Sequence, residues 1–126
     1  MKVYNNGNGY YDISQHDLTE IMLLGSNMSI RFVNKVNKNE GFFVKIENVI
    51  AFSDRIGGKS VALLRVDEDG SSFGLDVALR LGNDRFQNFK LLYLFEDFQH
   101  SSFVLRVLAE NISINNMKVG IDSWPY

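Results

Sequence analysis

Residues 49–81 constrain the fold more than any other part of the chain. Two glycine-containing turns punctuate three apolar runs there, a spacing that suits consecutive antiparallel strands. Gly57-Gly58, between Ile56 and Lys59, can supply both left-handed positions of a two-residue hairpin turn. Asp67-Glu68-Asp69-Gly70 fits a three-residue loop in which a left-handed Gly70 makes a bulge and pairs Asp67 with Ser71. In that register Val61 and Leu63 share a face with Phe73, Leu75, Val77, Leu79 and Leu81. Gly74, Asp76, Ala78 and Arg80 take the other face. The middle run, residues 60–66, is apolar on both sides and is predicted to be the most buried of the three.

Upstream, Asn5-Asn6-Gly7-Asn8-Gly9 separates Val3-Tyr4 from Tyr10-Tyr11 and reads as the loop of a first hairpin. Ser14, with Asp17 and Glu20 following, resembles a helix N-cap and first turns. Leu18, Ile21 and Met22 fall at helical spacing, and Gly25 can end the helix. The spacing therefore predicts a helix over residues 15–24. Strands are expected over residues 28–36 and 42–46, joined by a turn at residues 37–41. Residues 86–96 and 103–111 are apolar on both faces, so periodicity alone does not separate strand from helix. Their Phe and Val content favours strand. Met117, Val119 and Ile121 suggest a short last strand.

These elements predict an α+β, mainly β chain. The expected architecture is an antiparallel bent sheet, or a two-layer β-sandwich or barrel, of about eight strands with one N-terminal helix. Residues 1–126 fit a single domain, because the one proline, Pro125, is almost terminal and no linker interrupts the pattern. Ten Phe, five Tyr and one Trp argue against disorder. The absence of cysteine excludes a disulfide framework and a thiolate metal site, and it fits a reducing, cytoplasmic setting. The N-terminal residues lack the apolar core of a signal peptide, and no apolar run reaches 18 residues.

No catalytic or cofactor signature appears. Asp67-Glu68-Asp69-Gly70 fails as a calcium loop, since glycine is fourth rather than sixth and the twelfth position is Ala78. His16 and His100 are isolated and no Gly-x-Ser-x-Gly elbow occurs. Gly57-Gly58-Lys59-Ser60 lacks the upstream glycine of a phosphate loop. No enzyme activity, metal or cofactor is expected. Charge is polarised along the chain: residues 31–65 carry a net +4 and residues 66–110 a net −4, within an overall charge of −2.

A small, cysteine-free, slightly acidic, Asn-rich chain without an active-site signature resembles, in general character, the immunity proteins of bacterial contact-dependent and polymorphic toxin systems. The resemblance implies a protein partner: a cognate toxin domain, often a nuclease, whose basic active site the chain blocks. The expected partner-binding residues are the acidic and aromatic Asp67, Glu68, Asp69, Glu96, Asp97, Trp124 and Tyr126. The competing expectation is a β-barrel for a small ligand or single-stranded nucleic acid, with Arg31-Phe32 and Phe42-Phe43-Lys45 as stacking platforms. It requires Phe42 and Phe43 not to be buried together in the core.

Overall fold

The computed structural model describes residues 2–4, 9–68, 70, 89–99 and 102–118. Their eight strands are β1 (Lys2–Tyr4), β2 (Tyr10–Asp12), β3 (His16–Leu24), β4 (Asn27–Asn34), β5 (Glu40–Asp54), β6 (Leu63–Asp67), β7 (Lys90–Phe95) and β8 (Phe103–Lys118). All belong to one antiparallel sheet in the order β1-β2-β6-β7-β8-β5-β4-β3. The chain is thus mainly β, as its alternating pattern predicts. The sheet is open rather than a barrel, because its outermost strands β1 and β3 do not pair with each other.

The spine is the β5–β8 ribbon, paired from Glu40↔Lys118 to Asp54↔Leu105. β4 pairs with the first half of β5, between Phe42↔Phe32 and Ile46↔Met28, and β3 pairs with β4. β7 pairs with the first half of β8, and β6 and β2 follow it. The two flanks therefore leave opposite ends of the ribbon on opposite sides. Met28, Ile30, Phe32, Phe42 and Val44 from one flank share one buried cluster with Leu64, Leu92, Leu94, Val104 and Val107 from the other. A flat sheet cannot bring these together, so the sheet folds over its own ribbon. Phe32 and Phe42 stack at 4.6 Å in this core.

The bend in β5 is local. Asn48 has φ 55, a left-handed conformation that asparagine accepts more readily than most residues. The register of β5 against β8 slips between Val49 and Ala51. The β3–β4 turn braces the kink: the Val49 amide donates to the Ser26 carbonyl at 2.7 Å, and the Asn48 amide donates to Asn27 Oδ1 at 3.1 Å. On the other side, Asn48 Nδ2 donates to Glu110 Oε2 at 2.7 Å. Strands predicted separately over residues 42–46 and from Val49 onward are thus one bent strand.

The predicted helix over residues 15–24 is strand β3. Thr19 is the extra residue of a bulge, since Leu18 pairs with Phe32 and Glu20 with Arg31. The bulge moves the inward phase from His16 and Leu18 to Ile21 and Leu23. A strand thereby acquires the three-residue spacing of a helix. Ser14, the expected cap, closes a turn instead: its amide and hydroxyl both donate to Asp12 Oδ1, at 2.9 and 2.6 Å.

The three-strand meander is also corrected. Gly57 and Gly58 both have positive φ, and the Lys59 amide donates to the Ile56 carbonyl, so the tight turn exists. It is not a hairpin, because β5 and β6 are not neighbours. Both edges of β6 are taken by β2 and β7, and not by the strands on either side of it in the predicted meander. Leu63 is fully buried as expected. Gly70 does not take the left-handed conformation that the predicted bulge requires, since the described glycines with positive φ are Gly9, Gly25, Gly57 and Gly58. The strand over residues 71–81, and hence Leu75, Val77 and Leu79, lies outside the described residues. Gly70 itself is buried, and its amide donates to the Phe89 carbonyl at 2.9 Å. A side chain there would overlap Leu108 Cδ1. The two ambiguous segments are strands β7 and β8, and β8 continues without a break to Lys118. No helix among the described residues is long and apolar enough to cross a membrane.

Candidate functional site

The described acidic residues expected to bind a partner lie at two places on the β6–β7 pair. Asp67 is half-buried and engaged: Arg65 Nε and a terminal guanidinium nitrogen donate to its two carboxylate oxygens at 2.7 and 2.6 Å. That hydrogen bond, ahead of any other influence, raises the Arg65 pKa and holds its guanidinium charged. Glu68 is exposed and pairs with Lys90 at 3.2 Å. Glu96 and Asp97 are exposed at the other end of β7, where Asp97 Oδ1 accepts the Gln99 amide at 3.0 Å. Asp67 pairs with Leu91 and Leu63 with Phe95, so about 14 Å of strand separates the two acidic groups. Asp69, Trp124 and Tyr126 lie outside the described residues. No group of three or more His, Cys, Asp or Glu side chains among the described residues is arranged to hold a metal ion.

The expected stacking platform is absent where it was placed. Phe32, Phe42 and Phe43 are all buried. The sheet's other face instead carries arginines against rings. Arg65 lies 5.4 Å from the Tyr10 ring and 5.2 Å from the Tyr93 ring, while Arg55 and Arg106 lie 4.5 and 4.8 Å from Phe103. These ring faces are covered by the protein's own guanidinium groups, which satisfies both partners locally.

A cleft of about 320 Å³ lies where the start of β3 approaches the loop after Gly58, lined by His16, Asp17, Leu18, Lys59, Ser60 and Val61. His16 is buried with its ring edge-on to Phe42 at 5.0 Å, and its Nδ1 has no hydrogen-bond partner among the described residues. Burial lowers its pKa, so the imidazole is neutral near pH 7. Asp17 and Lys59 also line the cleft, and the Asp12 and Asp17 carboxylates act on the His16 ring against the effect of burial.

The strongest surface feature lies at the bend. Leu23, Leu24, Ile50 and Phe52 are large hydrophobics with exposures of 53, 52, 37 and 46%. The turn hydrogen bonds at Ser26 and Asn27 hold the end of β3 beside Asn48 and Val49, so Leu23 and Leu24 lie near the start of the stretch that carries Ile50 and Phe52. Leu23 pairs with buried Met28, and Phe52 pairs with buried Val107. Paired residues share a face, so Leu23 and Phe52 are the main core reaching the surface where the sheet folds. Exposed apolar groups gathered in this way mark an interaction surface more often than scattered ones do. Sequence reasoning missed this rim. Leu23 and Leu24 were assigned to a helix end, and the kink that exposes Ile50 has no signal beyond a single asparagine between apolar residues.

No family model matches the chain, and no curated protein is significantly similar to it. A solved structure of an uncharacterized protein from Neisseria gonorrhoeae is similar at 13% identity, over 83% of this chain and 95% of that one, with a TM-score of 0.46.

Proposed function

We propose that the chain is a protein-binding module that acts by covering a surface of its partner, and not by chemistry of its own. The observation that carries this reading is the apolar rim of Leu23, Leu24, Ile50 and Phe52 on a sheet braced at Asn48. A rigid sheet presenting its core's own margin loses little side-chain entropy on docking, and burial of these groups supplies the driving force. The likeness in character to bacterial immunity proteins specifies the partner: a cognate toxin domain, met in the cytoplasm, with a basic active site. The acidic residues still suited to it are Glu68, Glu96 and Asp97 at the surface. Asp67 is engaged with Arg65, and its role in binding is correspondingly smaller.

The test is direct. The purified chain is titrated against the protein encoded immediately upstream, and it is co-expressed with that protein in a sensitive host. The reading requires a stoichiometric complex and rescue of growth. A complex without rescue leaves a binding module that is not an immunity protein. No complex removes the immunity reading.

A further inference from the structure

The cleft between β3 and the loop after Gly58 has tethered walls. Ile13 ties the two together: its amide donates to the Ala62 carbonyl at 3.0 Å, and its carbonyl accepts the His16 amide at 3.0 Å. The loop wall is fixed at both ends. The Lys59 amide donates to the Ile56 carbonyl at 2.7 Å, and the Ala62 amide donates to the Phe95 carbonyl at 2.9 Å. The opposite wall is the start of β3, the outermost strand on its side of the sheet. The Lys35 amide donates to the Gln15 carbonyl at 2.8 Å, so the main chain of residue 15 faces β4. Alternation turns residue 17 the same way. It leaves the His16 carbonyl and the N–H and C=O groups of Leu18 on the side away from β4. Among the described residues no strand takes that edge, and His16 and Leu18 line the cleft.

The walls carry opposite charges that do not meet. Asp17 lines one wall and Lys59 the other. Asp17 pairs instead with Lys38, at 3.9 Å and with both side chains more than half exposed. Lys59 is in no ion pair among the described residues. The Asp17 carboxylate also acts on the His16 ring, which places negative potential on the β3 side. Ser60 adds a hydroxyl next to Lys59, and Leu18 and Val61 supply apolar lining. The volume of about 320 Å³ is at the low end for ligand sites, roughly 300–1,000 Å³, so a ligand here is small.

We propose that this cleft binds a free α-amino acid with a small aliphatic side chain. Its ammonium group meets Asp17 and the Leu18 carbonyl, its carboxylate meets Lys59 and the Ser60 hydroxyl, and its side chain lies against Leu18 and Val61. A ligand of one charge satisfies one wall and meets its own sign on the other, whereas a zwitterion satisfies both. Walls already tied through Ile13 need little reorganisation on binding. The site is separate from the protein-binding reading, and its failure leaves that reading untouched.

The probe is L-valine, titrated into the full chain at about pH 7, where an α-ammonium group is charged, and followed by NMR. Saturable shifts are expected at the amides of residues 16–18 and 58–61. L-Valinamide lacks the carboxylate and N-acetyl-L-valine lacks the ammonium group, so each should bind at least about tenfold more weakly. Lys59→Met and Asp17→Asn test the walls separately. Both side chains are exposed, so the melting temperature should stay at the wild-type value. Lys59→Met should lose the preference for valine over valinamide and keep the preference over N-acetylvaline, and Asp17→Asn should do the reverse. The absence of a saturable shift in the wild-type chain overturns the proposal, as do saturable shifts confined to residues outside the cleft. Equal binding of the three compounds overturns recognition of a zwitterion. Preferences unchanged in both variants overturn the roles of Asp17 and Lys59.

Discussion

At the scale of single residues, two positions carry consequences that their type alone does not suggest. His16 is packed on Phe42 with an unpartnered Nδ1, and burial holds its pKa below the usual 6.5. The unfolded chain therefore takes up the proton first as pH falls. The stability associated with neutral His16 is complete above about pH 6.5, the unfolded value, and is lost progressively below it, down to the folded pKa. Between pH 7.5 and 5.5 the wild-type melting temperature should drop more steeply than that of His16→Leu. Parallel slopes in calorimetry would show that His16 does not titrate differently on folding. Asn48 is the second position. Its left-handed backbone can be adopted by glycine at little cost, whereas a β-branched residue is strained there. Asn48→Val should lose about 1–3 kcal/mol in urea melts. Asn48→Gly, which loses the same side-chain bonds to Glu110 and Ser26, should lose clearly less. Equal losses would mean that those bonds, and not the backbone, set the bend.

At the scale of elements, β3 shows how a strand can look like a helix. The bulge at Thr19 is the cause, and it can be removed. Deleting Thr19 would restore strict alternation and turn either His16 and Leu18 or Ile21 and Leu23 away from the core. The loss should be about 2–5 kcal/mol, that of a large core truncation, and unchanged denaturant midpoints would contradict the bulge. Most of what depends on local chemistry was legible in the sequence. The Gly57-Gly58 turn, the strands at Met28 and Phe42, and the burial of Leu63 all follow from turn residues and alternation. What depends on partners was not. Leu63 to Asp67 has an apolar character that suits any neighbour, so nothing local shows that β2 and β7 flank it in place of residues 71–81. The spacing of the acidic residues was hidden for the same reason: only the β6–β7 register shows that Asp67 and Asp97 sit at opposite ends of the pair.

At the scale of the whole molecule, one continuous sheet folds over the β5–β8 ribbon and closes its main core between the flanks, with a smaller cluster around Phe89, Leu91 and Leu108. At the bend that core's margin reaches the surface, where Leu23 and Phe52 are about half exposed. The arginine–aromatic contacts on the other face pair guanidinium groups with the protein's own rings, and the proposed binding surface is the apolar rim at the bend. The measurement that addresses this most directly is the affinity of a Leu23→Ser/Phe52→Ser double variant for the protein encoded immediately upstream, by calorimetry, after its melting temperature has been matched to wild type. Both side chains are already about half exposed, so their loss should cost the fold little while removing the centre of the interface. The expected result is affinity weakened at least about a hundredfold, which corresponds to about 2.7 kcal/mol. Wild-type affinity in a folded double variant would contradict the rim as the binding surface.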